Sequence, residues 1–335
     1  MFGGVRKEYS DAMPTLLILR HGKSDWPPGV GDMDRPLKER GMRDSGRIGV
    51  WLEENDLVPD LILTSPANRA RSTAERVAMT LGLDARDNVE DPDFYHTEET
   101  AMLARLRELS QSFERVMIVG HNPGFEDLLA LLSDYPVSPE DRSGRMPTCA
   151  LGVLNFNGAW ADLKPRGAHI AHLILPRELP RKYPYPGPGD DAEWRDRPAY
   201  YYRQVGVIPY RLNKGKPEIL VISTASGPGK WKLPKGIHDP GLTAAEAAAT
   251  EAREEAGALG TVAKKAVGRF SVDKWGGTCE VTVYPMEVTE LLDEDGWAEN
   301  YRGRDWVTPA EAKRNLKHRG LAKLIPAFAK AFVAA

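Results

Sequence analysis

Along the first half of the chain, short apolar runs alternate with longer stretches whose apolar residues recur every three or four positions. The runs are Leu16–Leu19, Leu61–Leu63, Val116–Val119 and Leu151–Phe156. The stretches between them are Gly41–Glu54, Asn68–Leu81, Glu98–Ser110 and Phe125–Leu132. Short continuous runs predict buried strands, and the longer spacing predicts amphipathic helices. Their alternation predicts an α/β unit, a mostly parallel sheet flanked by helices. Three runs end in polar residues: Arg20-His21-Gly22, Thr64-Ser65-Pro66 and Gly120-His121-Asn122-Pro123. Strand ends in such a sheet face one crevice, so these three segments are expected to converge.

The pattern breaks after Leu179. Residues 180–199 read PRKYPYPGPGDDAEWRDRPA, where proline, glycine and charge crowd out any apolar period. That is linker composition, expected to be poorly packed. Residues 1–14 read as a loose leader. Beyond the linker, Val205–Tyr210, Ile219–Ser223, Val262–Phe270 and Glu280–Val288 are strand-like. A sharp turn at GPGKWKLPKG leads into an alanine-rich helix. A helix over Pro309–Leu316 and one more close the chain. The expected division is a domain at 14–180, a linker at 181–198 and a β-rich domain at 199–335.

A chain of 335 residues agrees with two domains. Composition, 41% hydrophobic and 28% charged, excludes a disordered chain, a collagen and a coiled-coil rod. No run approaches the ~18 apolar residues of a membrane helix, so no membrane partner is expected. The charged N-terminal residues argue against an export signal. A net charge of −3 gives no footprint for a nucleic-acid polymer. It leaves room for a local cluster that holds phosphate. Two distant cysteines, Cys149 and Cys279, predict no disulfide framework, no cysteine zinc site and a cytoplasmic location.

The first candidate chemistry is Arg20, His21 and Gly22, Arg69 in SPANRARST, and His121. An imidazole can attack phosphorus and carry the phosphoryl group covalently. Arginine forks clamp the transferring oxygens, and a second histidine can donate to them. Gly22 admits a close backbone approach, and its amide could join the clamp. The stretches LILRHGKSDW, DRPLKERG, PDLILTSPANRARST and VMIVGHNPGFEDLL resemble the histidine phosphatase superfamily, in particular its small SixA-like phosphohistidine phosphatases. The resemblance implies that His21 is the nucleophile and that Arg20, Arg69 and His121 form the phosphate pocket, with no cofactor. It implies the α/β core without a large helical insertion. The larger relatives use an acidic proton donor, for which Asp25, Asp93 and Glu126 are the candidates here.

The second candidate chemistry is GIHDPGLTAAEAAATEAREEAGA, residues 236–258. Thr243 and Glu246 make a capping box, alanines fill the helix, and Gly257 ends it. Glu251, Glu254 and Glu255 share one helical face, where like charges repel and a hard divalent ion would relieve them. Lys230, Lys232 and Lys235 flank the turn at Gly236, whose carbonyl is a further candidate ligand. The segment resembles the Nudix box, G-x5-E-x7-R-E-U-x-E-E-x-G-U with U aliphatic. Glu251, Glu254, Glu255 and Gly257 match, while Leu242 and Thr250 stand where the pattern has glutamate and arginine. WKLPKG and WAENYRGRDWVTPAEA resemble the diphosphoinositol and diadenosine polyphosphate hydrolase branch. This implies a mixed sheet between helices and an α+β fold. It implies Mg2+ (or Mn2+) held by Gly236, Glu251, Glu254 and Glu255, with Glu299 as a further ligand or base. Arg203, Arg211, Arg302 and Arg304 are then candidates for binding polyphosphate. Trp231, Trp297 and Trp306 are expected in the core, and His169, His172 and His318 to be structural.

Together these readings predict a bifunctional hydrolase. One domain removes a phosphoryl group through phosphohistidine. The other cleaves a diphosphate linkage in a nucleoside polyphosphate, dinucleoside polyphosphate or diphosphoinositol compound. The alternative is a phosphatase acting on a phosphohistidine protein, regulated by a Nudix domain that senses a metabolite.

Overall fold

The computed structural model describes residues 13–134, 146–185, 193–224 and 227–330. The leader expected at 1–14 therefore lies almost wholly outside the described residues. The chain forms two units, Met1–Arg181 and Lys182–Ala335.

The first unit runs β1 (Thr15–Arg20), α1 (Glu39–Glu54), β2 (Leu61–Thr64), α2 (Asn68–Thr80), β3 (Val89–Glu90), α3 (Glu99–Arg107), β4 (Arg115–Gly120), α4 (Gly124–Leu132), β5 (Leu151–Phe156) and β6 (Ala168–Ile174). The sheet order is β3-β2-β4-β1-β5-β6. The first four strands are parallel, and β5 and β6 complete the sheet antiparallel. The run Leu16–Leu19 is continuously apolar because both faces are covered. Leu16 and Ile18 pack with Leu103 and Leu106 of α3 and Leu128 of α4. Leu17 and Leu19 pack with Ile48 and Leu52 of α1 and Ala74 and Val77 of α2. Burial of each such side chain contributes about 1.5–3 kcal/mol.

The register explains why the polar strand ends meet. Arg20 pairs with Gly120, and Thr64 with Val119. The ladder continues past the strands: His21 N donates to Gly120 O and Ser65 N to Val119 O, both at 2.9 Å. His21, Ser65 and His121 thus emerge side by side.

The second unit opens with a ribbon, β7 (Tyr183–Tyr185) against β8 (Glu193–Arg195). There follow β9 (Arg203–Asn213), β10 (Lys216–Thr224), β11 (Gly227–Lys232), β12 (Lys235–Ile237), α5 (Ala244–Ala256), β13 (Ala258–Val262), β14 (Gly268–Lys274), β15 (Gly277–Leu291) and β16 (Arg304–Val307). Three short helices end it: α6 (Pro309–Asn315), α7 (Arg319–Ala322) and α8 (Ile325–Lys330). The sheet is mixed, since β9 and β15 are parallel and their other neighbours antiparallel. Alanines of α5 pack on Val205, Val207, Leu220 and Ile222. Residues of α6 to α8 pack with Ile208, Ile219 and Val221.

Three expectations change. The segment at 181–198 holds the ribbon: Tyr183 is buried, and the Arg195 guanidinium stacks 3.4 Å from the Tyr185 ring centre. Cation–π stacking packs residues that composition marks as linker; residues 186–192 lie outside the described set. The strand expected over Val262–Phe270 is two, because β13 and β14 pair with different stretches of β15. The turn expected at GPGKWKLPKG carries two strands, β11 and β12. Among the described residues, no helix is long and apolar enough to cross a membrane.

Candidate functional site

In the first unit, His21 is buried, and its Nδ1 donates to the Gly22 carbonyl at 2.8 Å. A carbonyl can only accept, so the proton sits on Nδ1 and the lone pair on Nε2. Burial lowers the His21 pKa to about 4, and Arg69, Arg20 and Arg35 add to the effect. The imidazole is therefore neutral and nucleophilic at pH 7. The His121 ring centre lies 5.0 Å from that of His21. Its Nε2 lies 2.8 Å from Ser65 Oγ, and burial, then His21 and Arg69, depress its pKa further still.

Each arginine is held at one end. Arg20 Nη1 donates to Met146 O at 2.7 Å. Arg69 grips Asp32 twice, Nη1 to its carbonyl at 2.5 Å and Nη2 to its carboxylate at 2.8 Å. The Nε atoms of both arginines are buried without a partner. Two guanidinium groups anchored beside a neutral imidazole suit the binding of an anion.

Sequence reasoning placed Ser65 at the crevice without a role, and missed Asp32, Thr73, Tyr95 and His96. Asp32 also accepts from Arg35 Nη1 at 3.1 Å and Tyr95 Oη at 2.9 Å. Burial pushes its carboxyl pKa up, but the hydrogen bonds from Arg35, Tyr95 and Arg69 outweigh this and hold it well below the usual range. The Gly22 amide, expected to be open to phosphate, donates to Thr73 Oγ1 at 2.9 Å. The proton-donor candidates have other engagements. Asp25 pairs with Lys38 at 3.1 Å, and Asp93 is exposed. Glu126 accepts from Met146 N at 2.9 Å and faces Arg20 electrostatically. A cleft of about 200 Å³ adjoins His121, lined by His96, Glu98, Glu99 and Asn122 among others.

In the second unit, the capping box at Thr243 and Glu246 forms as expected, and Gly257 ends α5 in the left-handed conformation, φ 58°. Burial, then Glu255, Glu254 and Asp239, raises the Glu251 pKa to about 8. Gly236 pairs with Val205 and packs against Glu251 so closely that a Cβ there would overlap the carboxylate. Glu255 accepts from Lys232 Nζ at 2.7 Å and from Lys235 N at 3.0 Å, with Arg302 Nη2 at 3.6 Å. Arg302 also bonds Glu299, whose backbone N donates to Glu254 O at 3.1 Å. Lys235 Nζ donates to Gln204 at 3.0 Å, and burial lowers its pKa.

Gly236, Glu251, Glu254, Glu255, Glu299, Lys232, Lys235 and Arg302 thus come together. Arg304 does not join them, because its guanidinium donates to the carbonyls of Ala256, Gly257 and Leu292 and closes the end of α5. Arg211 pairs with Glu218 at 2.7 Å and stacks on Trp306. It lies six residues along β9 from Val205, about 20 Å at strand rise. Arg203 is exposed at the start of β9. The side chain of Lys230 lies outside the described residues. Leu242 packs at the edge of the core beside α5, and Thr250 is exposed. Trp297 is buried; Trp231 and Trp306 are half-buried against the two cores. His172 packs on Trp51 and His318 on Phe270. His169 pairs with Asn155 in the sheet of the first unit.

Among the described residues, no group of three or more histidines, cysteines or carboxylates is gathered as a metal site. The donor chemistry still suits a hard divalent ion. The raised Glu251 pKa reports crowded carboxylates that a cation would relieve, and the Gly236 backbone reaches them at a distance no side chain permits.

Residues 16–98 match the model of the histidine phosphatase superfamily (branch 1), and residues 201–328 match that of the NUDIX domain. An uncharacterized protein of Mycobacterium tuberculosis is 32% identical over 163 residues, 48% of this chain and 100% of that one. The structure of a putative phosphohistidine phosphatase SixA from Nakamurella multipartitia aligns at 26% identity and TM-score 0.41, over 49% of this chain and 97% of that one. A C. elegans Ap4A hydrolase aligns at 23% identity and TM-score 0.34, over 39% and 97%.

Proposed function

This chain belongs to the histidine phosphatase superfamily and carries a NUDIX domain, and from that membership we propose that its two units break two different phosphate linkages. Both domains are of hydrolase families, so the protein is a two-domain phosphohydrolase.

The first unit removes a phosphoryl group through His21. Its Nε2 lone pair attacks phosphorus, and the guanidinium groups of Arg20 and Arg69 hold the oxygens. His121 donates to the same oxygens as charge builds up. The neutral His21, its proton on Nδ1, set beside His121 and within the field of Arg69 and Arg20, is the observation that carries this reading.

The second unit hydrolyses a diphosphate linkage in a nucleoside polyphosphate, a dinucleoside polyphosphate or a diphosphoinositol compound. Gly236, Glu251, Glu254, Glu255 and Glu299 would hold Mg2+, or Mn2+, which would supply positive charge to phosphate oxygens and lower the pKa of an attacking water. Glu251, in the ionised form that a bound cation would favour, is also the group proposed to accept the water proton. Lys232, Lys235 and Arg302 carry the positive charge that meets the substrate. They also hold Glu255, an orienting task that Thr250 cannot perform. Small phosphorylated compounds are the substrates of both units, and the cytoplasm is the location.

The test is phosphate and pyrophosphate release from a panel of nucleotides, dinucleotides and inositol pyrophosphates, with and without magnesium. Diphosphate cleavage should require magnesium and fall roughly 10²–10³-fold in Glu255→Gln, the scale of losing an electrostatic catalytic group. Magnesium-independent cleavage, or full activity in the variant, contradicts the reading. A second reading has the ion-paired Glu255 in its favour: the NUDIX domain senses a metabolite, and the phosphatase acts on a phosphohistidine protein. Tight magnesium-dependent binding of one panel member without turnover selects it.

A further inference from the structure

We propose that His96 is the general acid and base of the histidine phosphatase site, with Asp32 as the group that holds it there. The proposal rests on the phosphohistidine reading of His21 and supplies the one part that reading lacks, a proton donor.

His96 follows β3 on a loop and takes the left-handed conformation at φ 52°. Three contacts hold it. The ring stacks on His121, centres 5.6 Å apart and planes 15° apart. Tyr95 packs edge-on at 4.3 Å. Its Nε2 lies 3.8 Å from Asp32 Oδ2. Two ring-to-ring steps, 5.0 and 5.6 Å, therefore link His21 through His121 to His96. The His96 side chain remains 56% exposed and lines the cleft beside His121, where a leaving group has room.

Glu98, Glu99 and Asp127 line the same cleft, and His96 is the member of that group that stacks on His121. Asp32 accepts from three side chains and is held ionised, so it is a poor acid. It is well suited to face a protonated imidazole. Asp25 and Glu126 have partners of their own.

The proton accounting closes over both half-reactions. His21 Nε2 bonds to phosphorus as the bond to the leaving oxygen breaks, and that oxygen takes a proton from His96. Water then attacks phosphorus and gives a proton to His96. The phosphorus–nitrogen bond breaks, its electron pair returns to Nε2, and phosphate leaves.

The test uses the full chain and a series of aryl phosphates whose leaving groups differ in basicity. In His96→Gln, kcat/KM, which reports phosphoryl transfer to His21 and not the later hydrolysis, should fall far less for p-nitrophenyl phosphate, whose leaving group departs without help, than for phenyl phosphate, where the loss should be roughly 10²-fold or more, the scale of general acid catalysis. His96→Glu, which can donate a proton, should recover part of the loss. An equal loss on both substrates, a loss on neither, or a glutamate no better than glutamine overturns the proposal. His21→Ala separates the two levels: if it keeps phosphatase activity, the phosphohistidine reading itself fails, whatever His96 does.

Discussion

Glu251 offers the most quantitative prediction. Its carboxyl titrates at about 8 in the folded unit, against an ordinary value of 4.5, because it is buried among Glu255, Glu254 and Asp239. A folded pKa above the unfolded one means that the folded state binds more protons across this window. Stability is then fully present below pH 4.5 and is lost as pH rises through 8. Each pH unit is worth about 1.4 kcal/mol, so the ceiling is about 5 kcal/mol. Partial exposure of the carboxyl and relaxation of its neighbours bring the expected loss to roughly 1–3 kcal/mol. Glu251→Gln removes the titration while keeping the shape. Calorimetry in EDTA should show the transition of the second unit falling between pH 5 and pH 8 in the parent, by roughly 4–10 °C more than in the variant. Magnesium at pH 8 should raise the parent's transition and leave the variant's nearly unmoved. Equal pH dependence of parent and variant, or equal stabilisation of both by magnesium, would refute the account of this carboxyl cluster.

Other substitutions separate the roles of nearby residues. Gly236→Ala places a methyl group against the Glu251 carboxylate, and displacing that group by about 1 Å should lower diphosphate cleavage about 10²-fold; wild-type kcat would show that the close approach is not needed. Arg304→Ala leaves the end of α5 uncapped and should lower the melting temperature, with KM for a polyphosphate unchanged. A raised KM at unchanged stability would return Arg304 to the substrate-binding set.

The sheet of the first unit was legible because both its faces are covered. Full burial keeps Leu16–Leu19 and Val116–Val119 continuously apolar, and the parallel register brings their polar ends together. Helix α5 was legible from local chemistry, the Thr243 cap and the Gly257 stop. What stayed hidden depends on contacts distant in sequence. Asp32 sits in a loop with no periodicity and takes its role only by meeting Arg69 and Tyr95. Tyr95 and His96 follow β3, whose two residues are too few to leave a pattern. Arg304 lies in a motif that suggests polyphosphate. Only the fold of the chain brings its guanidinium to the last carbonyls of α5.

The central claim is that one chain carries two independent phosphohydrolase sites, one built on His21 and one on the α5 carboxylates. The most direct test is a 31P NMR time course of the parent and His21→Ala, each with magnesium and with EDTA, given an aryl phosphate and a diphosphate-linked compound together. The account predicts that His21→Ala loses phosphate release from the aryl ester and keeps magnesium-dependent diphosphate cleavage. It predicts the converse for the parent in EDTA. Loss of both activities under either condition, or survival of aryl ester hydrolysis in His21→Ala, would contradict it.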